Sequence, residues 1–229
     1  LVKKLRAEGY NSIGLMHVII AAYVRAVSQR PKVNRYIRGQ RVYARNGIVV
    51  NLTVKKKMSL DAEETAMKMH FDPSDTLFDV YRKFTAEYEK IVGIGAEENG
   101  TDRFARIVMG APRFLVNGCV WFLKLLDYYD LIPMSLLEIS PFHGSMFITN
   151  MASLNIPPVT HHLYDFGNVP IFIAFGQKRS ELIANEDGTV AKSRVMDVIA
   201  NLDERICDGF YYASAIKLMK KYFQHPEDL

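Results

Sequence analysis

The sequence has little cysteine, a single tryptophan and no long uncharged apolar run. Its two cysteines, Cys119 and Cys207, lie in apolar surroundings and lack the short spacing of metal-binding pairs. Neither a metal site nor a disulfide framework is therefore predicted, and a reducing compartment, the cytoplasm, is expected. The sequence also has no Gly-rich phosphate loop and no Gly-x-Ser-x-Gly elbow, so it lacks two common nucleotide-binding and hydrolase signatures.

The first residues lack the features of a secretion signal. Leu-Val-Lys-Lys-Leu at positions 1–5 opens no apolar core that ends in a small-residue cleavage site. The chain also begins without Met, so further residues are expected upstream. A length of 229 residues, with 49% hydrophobic and 24% charged residues, predicts one well-buried domain over residues 1–229.

Acidic residues are scarce at the start of the chain. Residues 1–60 contain thirteen Lys or Arg residues and a single acid, Glu8, although the net charge of the whole chain is only +4. Arg38, Arg41, Arg45 and the lysines at 55–57 surround a predicted hairpin. This basic region either attracts an anion such as a phosphorylated cofactor or forms a solvated face paired with acids of the second half. A nucleic-acid partner is not predicted, because no recognisable binding module accompanies the charge.

Helical and extended patterns alternate along the chain, which predicts an α/β sandwich. Apolar residues recur at helical spacing from Ile13 to the stop at Arg30-Pro31, and again from a cap at Asp75 or Thr76 to about Val92. A hairpin is predicted around Arg38-Gly39-Gln40. Apolar or β-branched runs predict strands at 48–54, 146–151, 171–175 and 195–202.

The most hydrophobic part of the chain is Phe104 to Leu126. Its longest uncharged run, between Arg113 and Lys124, is ten residues. A spanning helix needs roughly 20 apolar residues, so a transmembrane role is not predicted. Two interpretations remain: a helix packed on the domain or in a subunit contact, or a membrane-surface or partner-binding segment, since Trp121 and its apolar neighbours are flanked by cations.

The residues 203–209, Asp-Glu-Arg-Ile-Cys-Asp-Gly, lie between a predicted strand and an amphipathic helix. Their spacing resembles the His-x-x-x-Asp-Gly motif shared by the catalytic domains of dihydrolipoamide acyltransferases, from 2-oxo acid dehydrogenase complexes, and by chloramphenicol acetyltransferases. Asp208 and Gly209 match the end of the motif. Glu204 stands where the motif has its histidine.

The resemblance covers most of the chain. Residues 160–226 follow the acyltransferase sequences nearly without gaps, and residues 145–151, Ser-Met-Phe-Ile-Thr-Asn-Met, are similar to that family's Thr-Phe-Thr-Ile-Ser-Asn-Leu segment. Residues 12–57 match more loosely. Residues 93–143 lack a counterpart and are interpreted as a hydrophobic helical insertion. The resemblance implies a chloramphenicol acetyltransferase-like α/β fold, a two-layer sandwich with helices packed on a mixed β-sheet.

The resemblance also implies a chemistry. In the family, the motif histidine is a general base that activates a thiol or hydroxyl for attack on an acyl thioester, the Asp makes a structural ion pair and the Gly begins the helix. The hydroxyl residue of the neighbouring subunit stabilises the oxyanion, so the family works as a homotrimer. Carried over by position, the catalytic candidates are Glu204, Thr149 and Asp208, with coenzyme A or acyl-coenzyme A as substrate and no metal.

The replacement of the histidine leaves two functions open. A glutamate acts as a base near neutral pH only where burial disfavours its charged form, and its charge opposes both the oxyanion and the phosphates of coenzyme A. The chain is therefore either an acyltransferase with altered or lost activity or a non-catalytic trimeric scaffold or partner-binding protein. A substitute base could come from His143, His161 or His162, whereas His17 is interpreted as a core residue.

Overall fold

The computed structural model describes residues 1–55, 64–92, 110–185 and 187–229. The helices of this part are α1 (Val2–Ala7), α2 (Leu15–Gln29), α3 (Leu77–Val92), α4 (Arg113–Tyr128), α5 (Met134–Ile139) and α6 (Gly209–Gln224). The strands are β1 (Arg35–Arg38), β2 (Arg41–Ala44), β3 (Ile48–Lys55), β4 (Glu64–Phe71), β5 (Met146–Asn150), β6 (Ile171–Ala184) and β7 (Val190–Leu202). The basic residues Lys56 and Lys57 lie outside the described residues, and so do residues 93–109, the start of the predicted insertion and of the hydrophobic segment from Phe104.

Five strands form one mixed sheet in the order β4-β3-β5-β6-β7. The central strands β3, β5 and β6 run parallel to one another, and the outer strands β4 and β7 are antiparallel to their neighbours. Strands β1 and β2 form a separate hairpin. The central strands are largely apolar, because parallel strands in the middle of a sheet are covered on both faces.

Helices α2, α3 and α6 cover one face of this sheet and form the main core with it. Helix α2 contributes a fully buried stripe that includes Ile20 and Val24, and it ends at Gln29, just before Arg30-Pro31. Sheet residues at alternate positions meet the helices, among them Val50, Ile148 and Ile173. The predicted two-layer α/β sandwich with a mixed sheet is thus confirmed.

The opposite face of the sheet carries a smaller cluster built around Phe147 and Phe172. These two rings stack with their centroids 4.9 Å apart, and Val169 and Leu163 pack against them. Phe147 and Thr149 alternate along β5 with the core residues Met146 and Ile148, so they point to this second face. The second face is where the hydroxyl of Thr149 lies.

The hairpin predicted around Arg38-Gly39-Gln40 is present. Gly39 and Gln40 connect β1 to β2 with φ angles of 53° and 61°, the left-handed values of a two-residue hairpin turn. The strands predicted at 171–175 and 195–202 are longer than expected. The ladder of β6 and β7 continues past an irregularity between Phe175 and Lys178 to the pair Ala184–Val190. The outer part of this hairpin has many polar residues and no apolar alternation, but strands pair through backbone hydrogen bonds, which do not require it.

Helix α4 lies within the predicted hydrophobic insertion, but it is hardly packed on the domain. None of its residues is buried, and Phe114 and Trp121 are 73% and 65% exposed. The helix is held at its carboxyl end, where Asp127 and the following Asp130 bind Arg38. Within the part of the chain that the structure describes, no helix is both long and apolar enough to cross a membrane.

Candidate functional site

The turn at 203–209 joins β7 to α6, as the sequence predicts. The backbone N–H of Asp203 donates to the carbonyl of Pro170 (2.9 Å), which fixes the start of the turn to the beginning of β6. At its end, the carboxylate of Asp208 accepts a hydrogen bond from the backbone N–H of Tyr211 (2.8 Å) and caps α6. Gly209 is the first residue of the helix. The motif therefore serves locally as a helix start.

Asp203 and Arg205 form the ion pair of this turn. The Nε of Arg205 donates to both carboxylate oxygens of Asp203 (2.8 and 3.1 Å), and its terminal nitrogen donates to Oδ2 (2.7 Å). Burial opposes ionisation of Asp203, but the hydrogen bonds and charge of Arg205 outweigh it and lower the pKa of the carboxyl. The family resemblance assigns an ion pair to Asp208. Here Asp208 caps the helix, and the described part of the chain places the ion pair on Asp203.

Glu204 is exposed and stands free beside this pair. In the described part of the chain its carboxylate has neither a hydrogen bond nor an ion pair, because Arg205 is occupied by Asp203. Its Oε1 lies over the start of α6, 3.2 Å from where a Cβ on Gly209 would stand. Any residue larger than glycine at 209 would crowd this carboxylate. Arg205 is thus bound to Asp203 and not to Glu204.

Thr149 also has a free polar group. It is partly buried at the end of β5, and its hydroxyl has no hydrogen-bond partner among the described residues. The next residue, Asn150, is engaged: its Oδ1 accepts from the backbone N–H of Ser153 (3.2 Å) and caps a short 3-10 helix, Met151–Leu154. A free hydroxyl at a fixed strand end can donate to an oxyanion.

One chain does not bring Glu204 and Thr149 together. Thr149 is level with Ala174 on β6 and Ile199 on β7, whereas Leu202, the end of β7, is level with Ile171. Neighbouring strands lie about 4.8 Å apart and residues rise about 3.3 Å along them, so Glu204 and Thr149 are on the order of 15 Å apart. A site that uses both residues therefore needs a second copy of the chain.

His143 is committed to a buried polar cluster. Its Nε2 donates to Oδ1 of Asp127 (3.3 Å), and the Ser140 hydroxyl donates to its Nδ1 (2.7 Å), an arrangement that suits the neutral ring. Asp127 also binds the buried Arg38 at 3.1 Å. Burial lowers the pKa of His143 despite the opposing charge of Asp127. Both ring nitrogens are used, so His143 has none left to act as a base.

The tandem pair His161 and His162 is divided between two environments. The ring of His161 stacks on Phe172, with centroids 4.2 Å apart, on the same face of the sheet as Thr149. Its Nδ1 lies 3.0 Å from the carbonyl oxygen of Val159 and donates to it, which leaves Nε2 as the acceptor in the neutral ring. His162 is exposed. Of the two, His161 is the candidate base, because its neutral ring has Nε2 as an acceptor nitrogen.

His17 is buried in α2, where the sequence predicts a core histidine. Its Nδ1 accepts from the backbone N–H of Gly14 (3.0 Å), whereas its Nε2 is buried without a partner in the described part of the chain. Burial lowers the pKa of His17 to about 4, so the ring is neutral at physiological pH. His17 is a structural residue.

A cleft of about 600 Å³ adjoins the signature turn. Arg205 lines it together with Arg38 and the turn of the β1–β2 hairpin, and Lys124, Asp127 and Asp165 complete its charged lining. Among residues 1–55, 64–92, 110–185 and 187–229, no group of three or more His, Cys, Asp or Glu side chains is arranged to hold a metal ion. The cleft offers charges of both signs.

Two features of the site were not predicted from the sequence. The Asp203–Arg205 pair has a local signal, because a carboxylate and a guanidinium lie two residues apart in a turn. The cluster that joins Arg38 to Asp127 and His143 has no such signal, because its members are up to 105 positions apart in the sequence. Only the packing of the hairpin, α4 and the start of β5 brings them together.

Comparisons with known proteins address the fold. No protein-family model and no curated protein matches the sequence. Among solved structures, a probable dihydrolipoamide acetyltransferase from Listeria monocytogenes has a TM-score of 0.63 and 11% identity, with coverage of 97% of this chain and 75% of that one. A truncated catalytic core of the 2-oxoacid dehydrogenase multienzyme complex from Thermoplasma acidophilum has a TM-score of 0.56 and 9% identity, covering 97% and 79%.

A chloramphenicol acetyltransferase is also similar, with a TM-score of 0.50, 14% identity and coverage of 96% of this chain and 82% of that one. At sequence identities this low, the structural similarity shows the fold and not the function. The chain has the chloramphenicol acetyltransferase-like fold that these solved structures share. The predicted fold class is confirmed.

Proposed function

We propose that the chain is a single acyltransferase domain that acts as a homotrimer and transfers an acyl group between coenzyme A and a small acceptor. The observation that carries this proposal is the free carboxylate of Glu204. It stands at the histidine position of the motif, and the bond between Asp203 and Arg205 keeps it unpaired. The free hydroxyl of Thr149 supplies the second group that such a reaction needs.

The reaction follows from the two groups. Glu204 of one copy removes the proton from the acceptor thiol or hydroxyl, and the acceptor attacks the carbonyl carbon of the thioester. The hydroxyl of Thr149 in a second copy donates to the oxyanion that forms. When the tetrahedral intermediate collapses, the carbon–sulfur bond breaks and the leaving thiolate takes the proton from Glu204. Burial between two copies would disfavour the charged carboxylate and so make it a better base.

Association of copies is supported by the exposed hairpin of β6 and β7. Strand β7 forms an edge of the sheet, and its outer side has no partner in the described part of the chain. Leu182 and Val190 on this hairpin are 71% and 64% exposed. A long edge strand with exposed apolar residues is a surface suited to another copy. The two free cysteines are compatible with the cytoplasm, the compartment we propose.

The test is turnover of acetyl-coenzyme A with a panel of thiol and hydroxyl acceptors, followed as release of free thiol. Glu204→Gln is expected to lower kcat by at least about 10²-fold, since it removes the base. Thr149→Ala is expected to cost roughly 10²-fold, and Thr149→Ser to restore most of the rate. Glu89→Gln, which changes an exposed acid on α3, is the matched control.

The histidines are tested in the same assay. If Glu204 is the base, His161→Gln and His162→Gln both retain turnover. Loss of turnover in His161→Gln alone, with Glu204→Gln still active, assigns the base to His161 and contradicts the role of Glu204. The two substitutions are chemically identical and adjacent, so they separate a base from a general effect on this segment.

A second function is favoured by one observation. Glu204 is exposed, and in the described part of the chain nothing buries its carboxylate. A carboxylate that stays in water in the assembled trimer would be a poor base, and the chain would then be a non-catalytic scaffold of the same fold. This candidate predicts no turnover by the natural chain and measurable turnover by Glu204→His. A monomer in solution would contradict both functions, since each needs more than one copy.

A further inference from the structure

Helix α4 presents a stripe of apolar side chains to the solvent. Phe114, Trp121, Leu125 and Tyr128 are between 39% and 73% exposed. At 3.6 residues per turn these four side chains lie within about 60° of one another around the helix axis. The less exposed positions, such as Val116 and Leu123, lie on the opposite side. The apolar surface widens to Leu115 and Phe122, which are 54% and 52% exposed, and at its end Tyr128 also lines the cleft beside the hairpin. The rest of the stripe faces the solvent.

The charges beside the stripe are positive. Arg113 and Lys124 fall on one flank of the helix, and neither has an ion pair within the described residues. The only acid of α4, Asp127, is turned inward and bound to Arg38 and His143. The free charges of the helix are therefore both cations.

The neighbouring hairpin extends this surface. The turn at Gly39 touches the end of α4, where a Cβ at Gly39 would lie 2.6 Å from the carbonyl oxygen of Tyr128. Next to it, Val42 and Tyr43 are 47% and 37% exposed, and Arg41 is exposed too. Among the described residues that line the cleft between hairpin and helix, Asp165 is the one exposed acid, and Asp130, beyond the end of α4, is bound to Arg38. Cations thus outnumber acids beside the apolar stripe.

We propose that α4 is a membrane-surface helix that docks the domain on a lipid bilayer with anionic headgroups. At 1.5 Å per residue the 16-residue helix is about 24 Å long, shorter than the roughly 30 Å hydrocarbon core, so it lies in the plane of the interface. The stripe enters the acyl boundary, where Trp and Tyr side chains are favoured, and Arg113 and Lys124 reach the headgroups from its flank.

Charge decides between a bilayer and a second copy of the chain. Two copies that packed their stripes together would bring two sets of Arg113 and Lys124 to one seam, with no acid on α4 free to pair with them. Anionic headgroups neutralise these cations instead. The inference is independent of the proposed acyl transfer, because it uses none of the residues placed in that reaction.

The test uses the fluorescence of Trp121, the single tryptophan of the chain. On phosphatidylcholine vesicles that contain phosphatidylglycerol, its emission is expected to shift to the blue, and the protein to sediment with the vesicles. Pure phosphatidylcholine vesicles are expected to give at most a tenth of this binding, and added salt to reverse it. An emission spectrum unchanged by the anionic vesicles, or equal binding to both kinds, overturns the proposal.

Three variants locate the contact. Phe114→Ser retains Trp121 as the probe and is expected to weaken partitioning about tenfold. Combining Arg113→Glu with Lys124→Glu is expected to weaken it by tenfold or more. The matched control is Phe210→Ser, at an 87% exposed phenylalanine on α6, which is expected to bind as the natural chain does. Equal losses in Phe114→Ser and Phe210→Ser contradict a role for the stripe.

An experiment without lipid tests whether a second copy of the chain, and not a bilayer, covers the stripe. If the stripe is covered by a second copy, the emission of Trp121 is already blue-shifted without vesicles, and Phe114→Ser lowers the mass of the assembly measured by light scattering. This result overturns the membrane proposal. Circular dichroism of each variant verifies that the fold is retained, which is expected because the substituted side chains are exposed.

Discussion

Two Arg–Asp ion pairs each contribute an arginine to the lining of the same cleft, and they have different roles. Arg205 and Asp203 are two residues apart, and the Arg205 side chain is 71% exposed. Arg38 and Asp127 are 89 positions apart, and their side chains are 5% and 16% exposed. The first pair shapes one turn and leaves Glu204 free. The second joins the β1–β2 hairpin to the end of α4, so its loss affects the whole molecule.

The largest expected effect comes from the buried pair. Arg38→Met removes the cation that binds Asp127 and Asp130 and leaves Asp127 charged in a mostly buried position. We expect the free energy of unfolding to fall by about 3 to 5 kcal/mol, as is usual when one partner of a buried pair is removed. Urea unfolding followed by circular dichroism measures it. A loss below about 1 kcal/mol would show that water reaches the cluster and that the two ion pairs are alike.

Acid is expected to weaken the buried cluster before it weakens the signature turn. Burial holds the pKa of His143 below its usual value of 6.5, so the unfolded chain takes up the proton first as the pH falls. The stability that the neutral His143 contributes is therefore complete above about pH 6.5 and is lost as the pH falls below it. Asp203, whose pKa lies below its usual 3.8, contributes stability that is lost only in more acidic solution.

The measurement is urea unfolding at pH 7 and pH 5. His143→Gln is expected to reduce the difference between the two pH values, because it removes one group that charges only on unfolding. Part of the difference remains in this variant, since burial lowers the pKa of His17 to about 4 and its contribution has the same sign. An unchanged difference in His143→Gln would assign the acid sensitivity to His17.

The helix cap of the signature turn is expected to have an intermediate effect. Asp208→Ala removes the acceptor for the backbone N–H of Tyr211 and should lower the free energy of unfolding by about 1 kcal/mol. Asp208→Asn keeps a side-chain oxygen at the cap and should cost little. If both variants lose equally, the negative charge of Asp208 matters, and the ion-pair role that the family resemblance implies would apply in the assembled protein.

The smallest effect on stability is expected at the exposed pair. Arg205→Met, the same substitution as at Arg38, should lower the free energy of unfolding by less than about 1 kcal/mol. The Asp203 side chain is only 11% exposed, but Arg205 is 71% exposed, so water can take its place at the carboxylate. The effect of the substitution on turnover is the informative quantity. Lower turnover with unchanged stability would indicate that the Asp203–Arg205 pair positions Glu204.

Most of the fold could be predicted because its signals are local. The Gly39-Gln40 turn, the helix stop at Pro31 and the strand at Met146 follow from residue type and spacing. The full lengths of β6 and β7 could not, since their outer halves pair through the backbone while their side chains are polar and exposed. The hydrogen bonds between strands do not depend on side-chain polarity, so a hydrophobic pattern predicts such a strand shorter than it is.

The candidate site divides in the same way. The position of Glu204 between β7 and α6 follows from the motif, and so do the places of Asp208 and Gly209. Which partner Arg205 would choose does not follow, because Asp203 and Glu204 both lie within its reach along the chain and only the path of the turn selects Asp203.

The order of helices and strands and the class of fold follow from the amino-acid sequence, since hydrophobic spacing and turn residues act over a few positions. Which charges are paired and which are free depends on how the chain folds. In the folded chain Asp127 binds Arg38 and His143, Glu204 and Thr149 lie far apart, and the apolar stripe of α4 is exposed to solvent. These outcomes depend on contacts between residues distant in sequence, whose energies are set by burial and geometry that no local pattern encodes.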